Sequence, residues 1–198
     1  GRISKNHFGS IEKHAEELEL VSVCDVDASV LASHESQYGV PGYRNMAQML
    51  SERTLDLVAL CTPSGVHPKQ AILAANHQVH VVTEKPMATR WSDGLQMVKA
   101  CDEAGVHLFV VKQNRLNSTL QLLKRAVTEK RFGKIHMVQL NVFWTRPQSY
   151  YDQGNGWRGT WEFDGGAFMN QASHYVDLLD WLIGPVEKVQ AMMSTIRD

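Results

Sequence analysis

The run Val79-His80-Val81-Val82-Thr83 constrains this chain more than any other stretch: it is rich in β-branched residues and stops abruptly at Glu84-Lys85-Pro86. Val81 and Val82 leave neither face of such a strand suited to water, so it belongs inside a parallel sheet. Pro86 ends the strand because it has no N–H to give the ladder. In open α/β sheets, ligands sit beyond the carboxyl ends of the strands, where Glu84 and Lys85 project. A lysine on a rigid strand end is a candidate for chemistry, whereas a lone lysine beside a turn is ordinary surface. The rest of the chain decides between the two.

That rest alternates in kind. Helices are expected over 4–17, 28–38, 46–51, 68–76 and 92–104, and further strands over 19–24, 55–61 and 106–111. Such alternation builds βαβ units, and right-handed crossovers place every strand's C-terminal end on one rim. Beyond Lys112 the pattern changes. A helix over 118–129 precedes the alternating run 135–144, which suits an antiparallel strand with one exposed face. The aromatic- and glycine-rich segment 145–164 is too long for a simple connector. Gly165-Gly166 opens a helix reaching Leu182, Gly184-Pro185 closes it, and a strand-like run covers 186–196. The expected fold is α/β: a Rossmann-like doubly wound parallel sheet over 1–115 with its first strand missing, then a truncated α+β domain with a mainly antiparallel sheet over 116–198. The chain starts at Gly1 without a methionine and ends in that strand-like run. It therefore reads as a piece of a longer protein, expected to fold poorly or to bind its cofactor weakly alone.

Composition narrows the function. With a net charge of -1 and no basic tract, neither nucleic acid nor an anionic membrane is an expected partner. No apolar run approaches the ~18 residues of a membrane span, and no signal peptide is visible. Cys24, Cys61 and Cys101 are too scattered for a disulfide framework or a zinc site, which fits a reducing cytoplasm.

Gly1-Arg2-Ile3-Ser4, directly before a helix, matches the tail of a G-x-G-x-x-G fingerprint with Ser4 where the third glycine stands. Glycines there let the backbone approach a pyrophosphate, and the helix N-terminus supplies N–H groups. Asp25, ending the next strand, stands where NAD-binding folds bind the adenosine ribose, and it would repel a 2′-phosphate. NAD is therefore expected over NADP, with a helix N-cap as the alternative role for Asp25. Thr62-Pro63-Ser64-x-x-His67 is a second cluster on the same rim, either meeting the cofactor or capping the next helix through Ser64. In the helix 166–182, Asn170, His174 and Asp177 fall at i, i+4 and i+7 and share one stripe. The stripe is either a satisfied polar patch or a site. It is no zinc motif, lacking His-x-x-x-His and a cysteine, so no metal is expected.

Thr62-Pro63-Ser64-x-x-His67, Glu84-Lys85-Pro86 and Gly165-Gly166-x-x-x-Asn170-x-x-x-His174-x-x-Asp177 together resemble the glucose–fructose oxidoreductase/inositol dehydrogenase (Gfo/Idh/MocA) family of NAD(P)-dependent sugar dehydrogenases. The family's usual aspartate four residues before the histidine is Asn170 here. The runs 141–148, 156–164 and 168–174 are similar to one branch. That branch oxidises the 3-hydroxyl of UDP-N-acetyl-2-amino-2-deoxy-D-glucuronate in lipopolysaccharide (O-antigen) biosynthesis.

The resemblance implies an NAD site made of Gly1, Arg2, Ile3, Asp25, Thr62, Pro63, Ser64, His67, Glu84, Lys85, Gln113, Trp157 and Arg158. It implies a UDP-sugar held by Lys85, Arg146, Asn170, Ser173 and His174, with Lys85 and His174 catalytic. A histidine titrates near working pH, so His174 is expected as the base and Lys85 as donor to the reacting oxygen, the reverse being the alternative. Arg146 suits the sugar carboxylate, which a guanidinium binds bidentately. Tyr150 and Tyr151 either stack on uracil or pack within the loop. The branch further implies 2-oxoglutarate as the agent that re-oxidises NADH, and a homotetramer. The competing readings are a dehydrogenase or reductase of another sugar or inositol, a non-catalytic NAD-binding sensor, and a metal-dependent hydrolase using His174 and Asp177.

Overall fold

The computed structural model describes residues 1–153, 156–192 and 194. The chain divides into two compact units, one of Gly1–Val111 with Arg146–Asn170, the other of Lys112–Thr145 with Gln171–Asp198.

In the first unit helices and strands alternate. They are α1 (Ser4–Lys13), β1 (Val23–Cys24), α2 (Ala28–Tyr38), β2 (Gly42–Tyr43), α3 (Met46–Glu52), β3 (Leu57–Leu60), α4 (His67–Asn76), β4 (His80–Thr83), α5 (Trp91–Ala104) and β5 (Leu108–Val110). The returning segment adds the short α7 (Gln148–Tyr151). Every ladder is parallel, β1 with β2, β3 with β4 and β4 with β5. The Rossmann-like α/β class expected from the sequence is therefore present, with β4 in the middle of its sheet. Val81 packs with Leu60, Ala71, Ala74 and Met97 in the core. Alanines on the buried face of α4 let that helix lie close to the strands.

Local chemistry fixes the element ends. Asp27 caps α2 by accepting the N–H groups of Ser29 (2.8 Å) and Val30 (3.2 Å), and Gly39 ends it in the left-handed region at φ 66. The strand expected over 19–24 is laddered only at Val23–Cys24, because its partner β2 is itself two residues long. Among the described residues no ladder joins β1 to β3. Gly1 stands at the C-terminal ends of both, its amino group 3.9 Å from Asp25 Oδ2 and a Cβ on it 3.0 Å from the carbonyl oxygen of Cys61.

The second unit is built on α6 (Ser118–Thr128) and α8 (Ser173–Ile183). The antiparallel sheet expected there is not formed among the described residues. The run Ile135–Trp144 carries no strand, and Met137 and Phe143 are 83% and 90% exposed. Alternation sorts side chains to two faces but supplies no ladder, which needs a second segment alongside. The run expected over 186–196 is unladdered through residue 192, and residues 193, 195 and 196 lie outside the described residues. An apolar groove of about 510 Å³ opens in this unit, lined in part by Leu123, Val127, Phe132, Leu178 and Leu182. No helix among the described residues is long and apolar enough to cross a membrane.

The helix expected over 166–182 is interrupted. A π turn spans Phe168–Ala172, and α8 begins at Ser173. A π turn bonds i to i+5, so the segment before α8 is wound wider than the regular α-helix expected from the spacing.

Candidate active site

The strand ends of the first unit gather at a rim that Gly1 enters directly. The first turn of α1 has no side-chain cap and no acidic residue, so its dipole favours an anion, while the Ser4 and Asn6 N–H groups donate to the Gly1 and Ile3 carbonyls at 3.1 and 3.0 Å. Asp25 accepts the N–H of Asp27 at 3.0 Å and turns Oδ2 toward Gly1. The helix-capping role considered for Asp25 belongs instead to Asp27. A missing Cβ at Gly1, an uncapped helix start and a partly exposed carboxylate at the next strand end fit a dinucleotide's pyrophosphate and ribose. Arg2 and Ile3 lie exposed beside them.

Thr62-Pro63-Ser64 forms the next part of the rim. Thr62 Oγ1 donates to Gln70 Oε1 at 2.5 Å, and Pro63 leads into a 3-10 turn over Ser64–Val66. Ser64 is buried, and the start of α4 has no side-chain cap. His67 is buried with Nδ1 3.1 Å from the Pro86 carbonyl and Nε2 2.9 Å from the Thr62 carbonyl. It ties the loop after β3 to the loop after β4. Burial pushes its pKa down, against the pull of those two carbonyls.

Glu84 is buried at the end of β4, its Oε1 2.9 Å from His7 Nε2 and its Oε2 accepting the Lys85 N–H at 3.3 Å. Burial raises the Glu84 pKa, but the His7 hydrogen bond and charge outweigh it and hold the carboxyl below its ordinary value. His7 is pushed from 6.5 up to about 10 by hydrogen bonds with Cys61 and Glu84, against the opposing effect of burial. A pKa raised on folding stabilises fully below pH 6.5, and that contribution is lost as pH climbs through about 10. The Tm of the full-length protein is expected to fall across that interval, and less steeply in His7→Ala. An unchanged alkaline slope in the variant would contradict the assignment.

Lys85 follows at the strand end. Its Nζ donates to the Asn170 carbonyl at 2.7 Å and to Asn170 Oδ1 at 3.4 Å. Asn170 is itself buried and gives its amide Nδ2 to Asp164 Oδ1. The other Asp164 oxygen accepts the Gly159 N–H at 2.7 Å, so one buried carboxylate ties the 156–164 loop to the residue that holds Lys85. The loop docks back on the rim, where Gly65 N–H donates to the Phe163 carbonyl (3.1 Å) and Thr89 Oγ1 to that of Glu162 (3.0 Å).

Two arginines gather on Tyr150. The Arg158 guanidinium lies 4.4 Å from the Tyr150 ring centre and 5.0 Å from that of Trp157, and the Arg146 guanidinium is 5.4 Å from Tyr150. Arg158 Nε is buried without a hydrogen-bond partner among the described residues. Tyr151 meets Tyr150 edge-on at 5.2 Å.

The second unit carries Gln113, Ser173 and His174. Gln113 opens a 3-10 turn over Gln113–Leu116 and is exposed. His174 is buried in the first turn of α8, and Ser173 Oγ beside it is buried without a partner among the described residues. Asp177, one turn on, receives Arg115 bidentately at 2.9 and 2.7 Å and has Lys112 at 3.5 Å. Burial raises its pKa, and those two cations bring it below the ordinary value. Asp177 thus holds the turn that begins at Gln113. Among the described residues no group of three or more His, Cys, Asp or Glu could hold a metal.

Sequence reasoning gave no role to His7, Asp164 or Arg115. Asp164 carried one signal, an acidic residue immediately before Gly165-Gly166. His7 carried none, since its partner Glu84 is 77 residues away.

Comparison with solved proteins places the whole chain. A WlbA dehydrogenase of Chromobacterium violaceum, solved in complex with NADH and UDP-GlcNAcA, is 64% identical, covering 100% of this chain and 57% of its own, with a TM-score of 0.96. A WlbA dehydrogenase of Bordetella pertussis, solved with the same two ligands, is 61% identical over 94% of this chain and 57% of its own, with a TM-score of 0.92. More distantly, the D-apiose dehydrogenase of Paraburkholderia graminis is 29% identical over 99% of this chain and 51% of its own. The chain thus spans about half the length of that curated relative. Residues 1–112 match the oxidoreductase family's NAD-binding Rossmann fold and residues 120–198 the GFO/IDH/MocA C-terminal domain, so the chain belongs to the GFO/IDH/MocA oxidoreductase family.

Proposed function

We propose that the protein containing this chain is an NAD-dependent dehydrogenase that oxidises the 3-hydroxyl of UDP-N-acetyl-2-amino-2-deoxy-D-glucuronate (UDP-GlcNAcA) to the 3-keto sugar. The observation that carries the reading is likeness, at 64% identity over 100% of this chain and 61% over 94% of it, to two dehydrogenases solved with NADH and UDP-GlcNAcA. NAD, when bound, accepts the hydride. Gly1 and the start of α1 would take its pyrophosphate, and Asp25 its adenosine ribose.

Oxidising a secondary alcohol requires loss of the hydroxyl proton as hydride leaves the same carbon. His174 is assigned as the base that takes the proton. Lys85 is assigned to donate a hydrogen bond to the same oxygen, stabilising the negative charge that grows there. Asn170 supports that role by fixing the lysine amine through two acceptors. Arg146 and Arg158 both gather on the Tyr150 ring, and a guanidinium binds an acidic group through paired hydrogen bonds, which supports an acidic ligand at this part of the loop. A uronate carboxylate and a diphosphate are both of that kind.

The same reading includes a place in O-antigen sugar biosynthesis, 2-oxoglutarate as re-oxidant of NADH and a homotetramer. The exposed apolar surface of the second unit supports assembly of some kind. The test is to present the full-length protein with UDP-GlcNAcA, free myo-inositol and D-apiose and to follow nicotinamide absorbance. Reduction of NAD by UDP-GlcNAcA at the highest kcat/KM is expected. Preference for a free polyol or pentose would move the assignment to another sugar of the family, and NAD binding with no reduction by any sugar would indicate a sensor.

A further inference from the structure

Lys85 is held at both ends. At the amine end Nζ meets Asn170, as described. At the backbone end its N–H is taken by Glu84 Oε2 at 3.3 Å. Glu84 is only 8% exposed, and the backbone pins it too, its N–H donating to the Leu60 carbonyl at 3.1 Å. A buried carboxylate needs a donor for each oxygen. One comes from Lys85 and the other from His7 Nε2, in the middle of α1. The groups facing this chain of contacts are Cys61 beside His7, and Lys85 and His67 beside Glu84.

We infer that His7 is a positioning residue for Lys85: by holding the Glu84 carboxylate in place, it fixes the backbone from which the lysine reaches the reacting oxygen. The inference rests on the reading of Lys85 given above. Without His7, Oε1 loses its donor in a buried setting, so the carboxylate turns to find another or takes up a proton. Either response weakens the acceptor that Lys85 N–H uses and loosens the residue at the strand end. A shift of about 1 Å at a catalytic group can lower turnover by up to about 100-fold without touching the substrate.

The ring atom used gives the test its contrast. Gln places an amide nitrogen where Nε2 stands, whereas Asn places one where Nδ1 stands and falls short of Oε1. In the full-length protein with UDP-GlcNAcA and NAD, His7→Asn is expected to lower kcat about tenfold, with both KM values within about twofold. His7→Gln is expected to recover most of the loss. Glu84→Gln should be at least as slow as His7→Asn, and the double variant no slower than Glu84→Gln, because both act through one carboxylate. Lys85→Met, run in parallel, tests the reading beneath. If it abolishes turnover while His7→Asn and His7→Gln share the wild-type kcat, or lose activity equally, the positioning role is overturned. Losses that multiply in the double variant would overturn it too. If Lys85→Met itself turns over at the wild-type rate, the catalytic reading of Lys85 fails first, and the inference falls with it.

Discussion

Lys85→Met is expected to lower kcat of the full-length protein by about 10³-fold. Methionine keeps the length and most of the apolar stem of lysine, so the strand end and the core around β4 are left in place. What it cannot do is donate. In the native chain the amine is pre-set, 2.7 Å from the Asn170 carbonyl, by a residue that Asp164 fixes in turn. A donor held in advance needs no reorganisation as charge develops, which is why its removal is read in kcat. NAD affinity should change by no more than about fivefold, the worth of one hydrogen bond. Turnover is measured at saturating sugar and NAD binding by fluorescence titration. A kcat near wild type, or a loss confined to NAD affinity, would remove Lys85 from the chemistry.

The second large effect is structural and lies at Gly65. A Cβ there would stand 2.0 Å from the Glu162 carbonyl oxygen and 2.9 Å from the Phe163 Cα. Both are backbone atoms, so no side-chain rotation relieves the overlap. Gly65→Ala must separate the turn after β3 from the 156–164 loop. The Gly65–Phe163 and Thr89–Glu162 hydrogen bonds go with it. The expected destabilisation is about 3 kcal/mol, the upper end for an overpacked site. Sugar KM should rise alongside the fall in Tm, since the displaced loop carries Trp157, Arg158 and Asp164. Gly94→Ala is the matched control, because its nearest neighbours are side-chain atoms at 3.6 and 3.8 Å. Equal Tm values for the two variants would show that the loop does not sit on Gly65.

Much of the first unit was legible in the sequence because local chemistry and burial agree there. The β-branched run before Pro86 became the central strand of its sheet, and α2 starts and stops where Asp27 and Gly39 require. Lys85 could be singled out because a strand end is a fixed address in an α/β fold. The alternation of 135–144 misled because period two reports faces and says nothing of a partner strand. The wider winding of residues 168–172 is not legible in the same way, because a π turn has no signature in the pattern of apolar residues. His7 and Arg115 were invisible for a third reason. Their carboxylate partners are 77 and 62 residues away, and only the fold brings those pairs together. Asp164 shows the intermediate case. With asparagine at 170, the buried carboxylate bonded to it comes from six residues earlier, just ahead of the paired glycines.

On the proposed function, hydride leaves carbon 3 of the UDP-linked sugar acid for NAD. The most direct test of that step is a single turnover of the full-length protein with UDP-GlcNAcA carrying deuterium at carbon 3. Deuterium is expected on the nicotinamide ring, with a 3-keto sugar in equal amount. Nicotinamide reduced without the label, or a labelled sugar recovered intact while another sugar is oxidised, would contradict it.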